Sequence, residues 1–179
     1  VLEQKCYFNT QRLSVGSWTN QTKANDSDKR FIDKVIEILT PNVVKALPAG
    51  WQDINTKDKA AQWIQDRASE SHFLSIQSLQ SDETIGFMFL YGFDSDSNMQ
   101  DLRFGYLLSE KVWGRGLATE VIQGLIKWCK ESENIRSISG GVERDNLGSI
   151  KVLEKSGFNI SSLDAPTEQI VFYEYRFDN

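Results

Sequence analysis

The stretch SEKVWGRGLATEVIQGLIKWCKE, Ser109 to Glu131, constrains this chain more than any other. Leu117, Val121, Leu125 and Cys129 recur every fourth residue, with Ala118, Ile122 and Ile126 beside them, and that period lays one apolar stripe along an α-helix. Such a stripe must be buried, so the fold must offer a layer for the helix to lie on. Directly before it stand Gly114, Arg115 and Gly116. A helix N-terminus leaves backbone N–H groups without partners and carries partial positive charge. Facing outward, those groups bind an anion, most often phosphate. The two glycines let a bulky pyrophosphate approach the backbone with no Cβ in the way, and Arg115 adds a charge within reach. The same glycines also suit a tight strand-to-helix turn, and the residues alone leave both readings open.

The remaining chain supplies the layer. Cys6 to Trp18 reads as a first strand. A helix begins at Asp26 or Ser27, with Phe31, Ile32, Val35, Ile36 and Leu39 at helical steps, and ends before Pro41. PNVVKALPAGWQD is loop or short helix, and a second helix is predicted from Thr56 to Ser69 with Ala60, Ile64 and Ala68 down one side. HFLSIQSL (72–79) and TIGFMFLYGF (84–93) are strands around a hairpin-length turn, and LRFGYLL (102–108) is a third. After the long helix come a strand at 135–142, a short helix closed by Gly157 in a left-handed cap, and two last strands in GFNISS and QIVFYEYRF. This order predicts one α+β domain over residues 1–179, a mixed sheet with helices on its faces.

Composition narrows the function. No apolar run approaches the roughly 20 residues that span a bilayer, and VLEQKCYFN lacks a signal-peptide core. A net charge of −5 disfavours nucleic acid as a partner. It suits cationic amines modestly and solubility first. Cys129 sits on the apolar stripe, which favours a buried free thiol over a bridge to Cys6 and points to the reducing cytoplasm. Glycosylation-type triplets at Asn20, Asn25 and Asn159 have no secretion signal to support them. DSDSN places Asp94, Asp96 and Asn98 at alternate positions, but Met99 and Gly105 stand where a calcium loop needs Gly and Glu. His72 is the only histidine, so a zinc site of the HExxH type is ruled out, and no metal is expected. There is no GxSxG elbow and no GxxxxGK[ST] loop, and GRGLAT lacks the third glycine of a dinucleotide fingerprint.

VWGRGLATEVI resembles the acyl-CoA pyrophosphate loop of the GNAT superfamily of N-acetyltransferases, whose pattern is Gln or Arg, two residues, Gly, one residue, then Gly or Ala. Gly116 and Ala118 fill the last two places, whereas Trp113 stands where Gln or Arg is usual. The variant WGxGxATE is similar to the RimJ and RimL branch of ribosomal-protein N-terminal acetyltransferases. A second signature, NLGSIKVLEKSGF from Asn146 to Phe158, resembles that branch at the expected distance. The resemblance runs from about residue 70 to 175 and assigns the first 50 residues by position only. It implies a central, mostly antiparallel, splayed sheet of about seven strands.

It also implies a site. Backbone N–H groups of Trp113, Gly114, Arg115, Gly116, Leu117 and Ala118, with Thr119 beside them, would hold the pyrophosphate of acetyl-CoA. Tyr106, Leu107 and Leu108 would pair with the pantetheine amides, in a slot opened where strands 102–108 and 135–142 splay apart. Asn146 would hydrogen-bond pantetheine while capping its helix. Lys151 or Lys155 would meet the ribose phosphate, or simply be solvated charges.

The implied reaction moves acetyl to a primary amine of a protein N-terminus or a small molecule. The amine must lose a proton, and the developing oxyanion needs an N–H donor such as Leu107–Leu108 offers. Many relatives protonate the leaving thiolate with a tyrosine on the last helix, but here that position is Leu153. Ser149 is the substitute, or else a small residue packed against CoA. Glu143 is the candidate base ahead of Asp145, both of which also read as loop charge, and Asp164 is the acid available after the last helix. Trp51 and Trp63 fall in the segment expected to wall the acceptor cleft, where they either touch substrate or pack in the core. The alternative function is a non-catalytic CoA-binding sensor or interaction module. Exposed edge strands in such sheets leave a homodimer open.

Overall fold

A computed structural model describes residues 6–18, 27–92, 98–162 and 165–178. The stretch 94–97, Asn20, Asn25, Asp26 and Asp164 lie outside the described residues, and with them most of the calcium-loop reading. The strands are β1 (Phe8–Asn9), β2 (Leu13–Ser17), β3 (His72–Ser78), β4 (Thr84–Tyr91), β5 (Gln100–Leu108), β6 (Ile135–Glu143), β7 (Asn159–Ile160) and β8 (Ile170–Arg176). The helices are α1 (Ser27–Ile38), α2 (Pro41–Val44), α3 (Lys57–Glu70), α4 (Leu117–Ser132) and α5 (Leu147–Lys155). Eight strands join one mostly antiparallel sheet in the order β1-β2-β3-β4-β5-β6-β8-β7. The sheet has one strand more than expected, because Cys6–Trp18 is two short strands rather than one. Thr10 turns the chain there: its N–H donates to the Leu13 carbonyl (2.9 Å) and its hydroxyl accepts from the Leu13 N–H (3.1 Å). Phe8 then pairs with Val15.

The chain folds as two compact units, one of residues 1–89 and 106–115, the other of 90–105 and 116–179. In the first, β2 runs antiparallel to β3 from Leu13–Ser78 to Ser17–Leu74. α1 lies against α3 and buries Phe31, Val35 and Ile38. It stops at Ile38, and Pro41 opens α2, where its missing N–H costs nothing. Thr56 caps α3 by accepting from the Lys59 N–H (3.2 Å). The buried face of α3 is Ala60, Trp63, Ile64 and Arg67, whereas Ala68, expected on it, is exposed. A step of one residue turns the helix by about 100°, so Arg67 inside puts Ala68 outside. Trp63, 1% exposed, packs its ring among Phe73, Phe87 and Phe89. That is core packing, the plainer of its two sequence readings.

In the second unit, α4 buries Leu117, Val121, Ile122, Leu125, Ile126, Trp128 and Cys129. The predicted stripe is therefore its inner face, widened by Trp128. β5 and β6 are parallel, and their register begins at Gln100–Ile135, shifts by a bulge, and stops at Arg103–Ser139. β6 continues to Glu143 against β8, antiparallel from Ser137–Arg176 to Glu143–Ile170. α5 ends as predicted: Gly157 has φ +94°, its N–H donates to the Glu154 carbonyl (3.1 Å), and the Phe158 N–H donates to Leu153 (3.0 Å). Phe158 and Leu153 are both buried.

Candidate active site

The Gly-Arg-Gly stretch turns outward. A 3₁₀ turn, Glu110–Val112, delivers the chain to Trp113, whose N–H donates to the Glu110 carbonyl (3.3 Å) and whose indole Nε1 donates to the Leu108 carbonyl (2.9 Å). Gly114 follows at φ +74° with nothing within 4 Å of where a Cβ would be. Gly116, at φ +75° and ψ 10°, is the N-cap of α4 and offers no side-chain cap. Both glycines hold the left-handed conformation that other residues resist. Trp113, Gly114, Arg115 and Gly116 are all exposed.

Among the described residues, the N–H groups of Gly114 through Thr119 have no acceptor, and the first helical amide with one is Glu120, which donates to Gly116 (3.2 Å). The Trp113 amide, expected in the cradle, is already spent on Glu110. The Arg115 carbonyl is held from behind by Arg12 Nη1 (3.0 Å), and its guanidinium has no partner among the described residues. A row of free amides, a helix N-terminus, open space over Gly114 and an uncommitted arginine together fit a phosphate-rich group.

The other predicted residues fall as follows. In the first unit, Leu107 and Leu108 are buried and Tyr106 half-buried. The next amide, Ser109, donates to Ile85 (2.8 Å). Gly86 allows this approach: a Cβ there would lie 2.4 Å from the Leu107 carbonyl oxygen. Trp51 is half-buried, its ring 4.6 Å from the Arg67 guanidinium. That buried arginine, stacked on Trp51 and Trp63, was not singled out from the sequence, since an Arg at a helical core position is indistinguishable there from a solvated one.

In the second unit, Asn146 caps α5 through Oδ1, which accepts from the Ser149 N–H (3.2 Å). The Ser149 hydroxyl has no hydrogen-bond partner among the described residues. Glu143 is half-buried at the end of β6, and its carbonyl accepts from the Asn146 amide (3.0 Å), so base candidate and cap are locked in one turn. Asp145, Lys151 and Lys155 are exposed. Leu153 is buried at 4% exposure, which makes it a core residue. Tyr173 on β8, not picked out from the sequence, donates its phenol to Glu154 on α5 (3.3 Å). Burial, followed by the negative charge of Glu154, raises its pKa. Among the described residues no group of three or more His, Cys, Asp or Glu is placed to hold a metal ion, and no helix is long and apolar enough to cross a membrane.

Comparison with known proteins identifies the family and the fold. Residues 23–159 match the acetyltransferase (GNAT) domain family. The uncharacterized N-acetyltransferase p20 of Bacillus licheniformis is 31% identical over 113 residues, which cover 62% of this chain and 62% of that protein. The chain thus matches about three fifths of that relative's length. A GNAT-family acetyltransferase structure from Bacillus anthracis shares the fold at a TM-score of 0.72 and 14% identity, over 95% of this chain and 98% of that one. RimL, a ribosomal alpha-N-protein acetyltransferase solved in complex with coenzyme A, shares it at a TM-score of 0.69 and 14% identity, over 96% and 98%. The match of the family over most of its length, both units included, means that this chain belongs to the GNAT acetyltransferase family.

Proposed function

We propose that the protein, acting as one domain, is a RimJ/RimL-like N-acetyltransferase that moves an acetyl group from acetyl-CoA to a primary amine of a protein N-terminus or a small molecule. The observation that carries this reading is the row of unpartnered amides from Gly114 to Thr119, which begins on the exposed Gly114, Arg115 and Gly116. Those amides and Arg115 would hold the pyrophosphate. Tyr106, Leu107 and Leu108 would pair with the pantetheine amides, Asn146 would add a hydrogen bond through its free amide nitrogen, and Lys151 would meet the ribose phosphate. When bound, acetyl-CoA supplies an already activated thioester, so positioning by these residues accounts for much of the acceleration. Glu143 accepts the proton of the incoming amine. Ser149, whose hydroxyl is uncommitted, donates one to the departing sulfur. Cys6 and Cys129 are buried free thiols, which supports a cytoplasmic setting.

The buried Leu153, in the place of the tyrosine that many relatives use, favours one other reading: a module that binds CoA without turning it over. Thiol release from acetyl-CoA, measured with a panel of peptides and small amines, separates the two. Turnover on any amine supports the enzyme, and tight CoA binding with no turnover on the whole panel supports the module. Sedimentation at micromolar concentration tests for a homodimer.

A further inference from the structure

We infer that the second unit carries a carboxylate-binding trough on its open sheet face, and that it selects amine acceptors that also bear a carboxylate. This deepens the acetyltransfer reading and rests on it for the acceptor's identity, though not for binding.

The trough follows from strand alternation. On β5, Leu102 and Phe104 are buried while Asp101 and Arg103 are exposed. Register sets Ser137 beside Asp101 and Ser139 beside Arg103, with Arg176 and Glu174 next to those serines on β8. These residues, with Arg136 and Ser162, line a space of about 450 Å³. Between β5 and β8, β6 contributes the small side chains of Ser137 and Ser139, which leave the space open.

Its charges are mostly spent within it. Asp101 accepts two hydrogen bonds from the Arg136 guanidinium, one of them 3.0 Å from Nε, and a third from Ser137 Oγ (2.7 Å). Glu174 accepts from Arg176 Nη1 (2.9 Å) and Ser161 Oγ (3.1 Å). Two donors remain. The Arg103 guanidinium lies 5.4 Å from the Phe172 ring centroid and has no carboxylate partner among the described residues. Ser139 lines the trough, is only 4% exposed, and its hydroxyl has no hydrogen-bond partner among the described residues. That hydroxyl reaches solvent in the trough and is open to donate to a bound carboxylate.

Among the described residues the lining holds three guanidinium groups against two carboxylates, so one further negative charge balances those groups. A carboxylate fits that balance, whereas a phosphate dianion beside Asp101 and Glu174 would overshoot it. Arg103, laid on an aromatic face, presents a planar fork suited to two parallel bonds with a carboxylate. On β6 Ser139 precedes Glu143, the proposed base, by about 13 Å of strand, the reach of an amino acid or a short peptide.

The test is calorimetric titration of the CoA-saturated protein with the Ser-Glu-Gly amide tripeptide, its Ser-Gln-Gly counterpart, free glutamate and inorganic phosphate, repeated on R103Q and S139V. The Glu peptide should bind about tenfold more tightly than the Gln peptide, and both variants should erase the difference. Free glutamate binding as tightly as the peptide would identify a small amino acid as the acceptor, and peptide-only binding a protein N-terminus. Equal binding of the two peptides, an unchanged preference in R103Q, or phosphate outcompeting glutamate overturns the trough. Thiol release on neutral amines is read in parallel: turnover without any acid preference would end this inference while leaving acetyl transfer intact. Acid-selective binding with no turnover on any amine would do the reverse.

Discussion

The sharpest prediction concerns Gly114. Its φ of +74° is left-handed, yet nothing lies within 4 Å of a Cβ built there. Gly114→Ala therefore adds no clash, only backbone strain of about 1–2 kcal/mol. An exposed loop can shed that strain in the free protein by relaxing to negative φ, so thermal stability should barely change. The relaxed loop no longer aims its amides together, and restoring the cradle on binding costs the same 1–2 kcal/mol, which weakens CoA roughly 5- to 30-fold. Gly50 is the control, since it too has nothing within 4 Å but its φ is not positive. Titration calorimetry with CoA on the parent, Gly114→Ala and Gly50→Ala reads the effect directly. CoA affinity within twofold of the parent in Gly114→Ala, with an unchanged melting temperature, would refute the cradle. A fall in melting temperature without a change in affinity would mean the positive φ serves packing alone.

Three further outcomes are expected. Gly86→Ala drives a methyl group into the Leu107 carbonyl at 2.4 Å and Leu108 Cδ2 at 2.7 Å, so it should cost about 1–3 kcal/mol of stability in a denaturant titration. Burial pushes the Cys6 thiol up to about 12, so iodoacetamide at pH 8 should leave Cys6 unmodified in the folded protein and label it in urea, as mass spectrometry would read. Hydrogen bonds from Arg136, then from Ser137, hold Asp101 below its ordinary value of about 3.9, so its contribution is present above that pH and is lost as pH falls through the lower folded value. Asp101→Asn should accordingly lower the melting temperature at pH 7 and flatten its decline below about pH 4.

How much was legible beforehand depends on the range of the interaction concerned. α4 was readable because its stripe, from Leu117 to Cys129, repeats within one helix, and the Gly157 cap because a left-handed residue announces itself locally. The amide row was foreseeable too, as a helix that begins at a glycine has no side chain to cap it. Misreadings arose where a local pattern was ambiguous. Cys6–Trp18 has strand-like residues throughout, and only the Thr10–Leu13 hydrogen bonds make it a hairpin. Ala68, expected inside, is exposed, and the neighbouring Arg67 is buried with its guanidinium against the rings of Trp51 and Trp63.

The sequence by itself determined most of the elements, the stripe of α4 and the family, since each rests on residues near one another in the chain. Only tertiary structure decided which donors stay unsatisfied. Ser139 and Arg103 are 36 positions apart, and that each lacks an acceptor emerges only when register sets β5 beside β6 and gives the nearby carboxylates to Arg136 and Arg176. Hydrogen-bond satisfaction is a property of the whole neighbourhood, and strand pairing assembles that neighbourhood from distant segments.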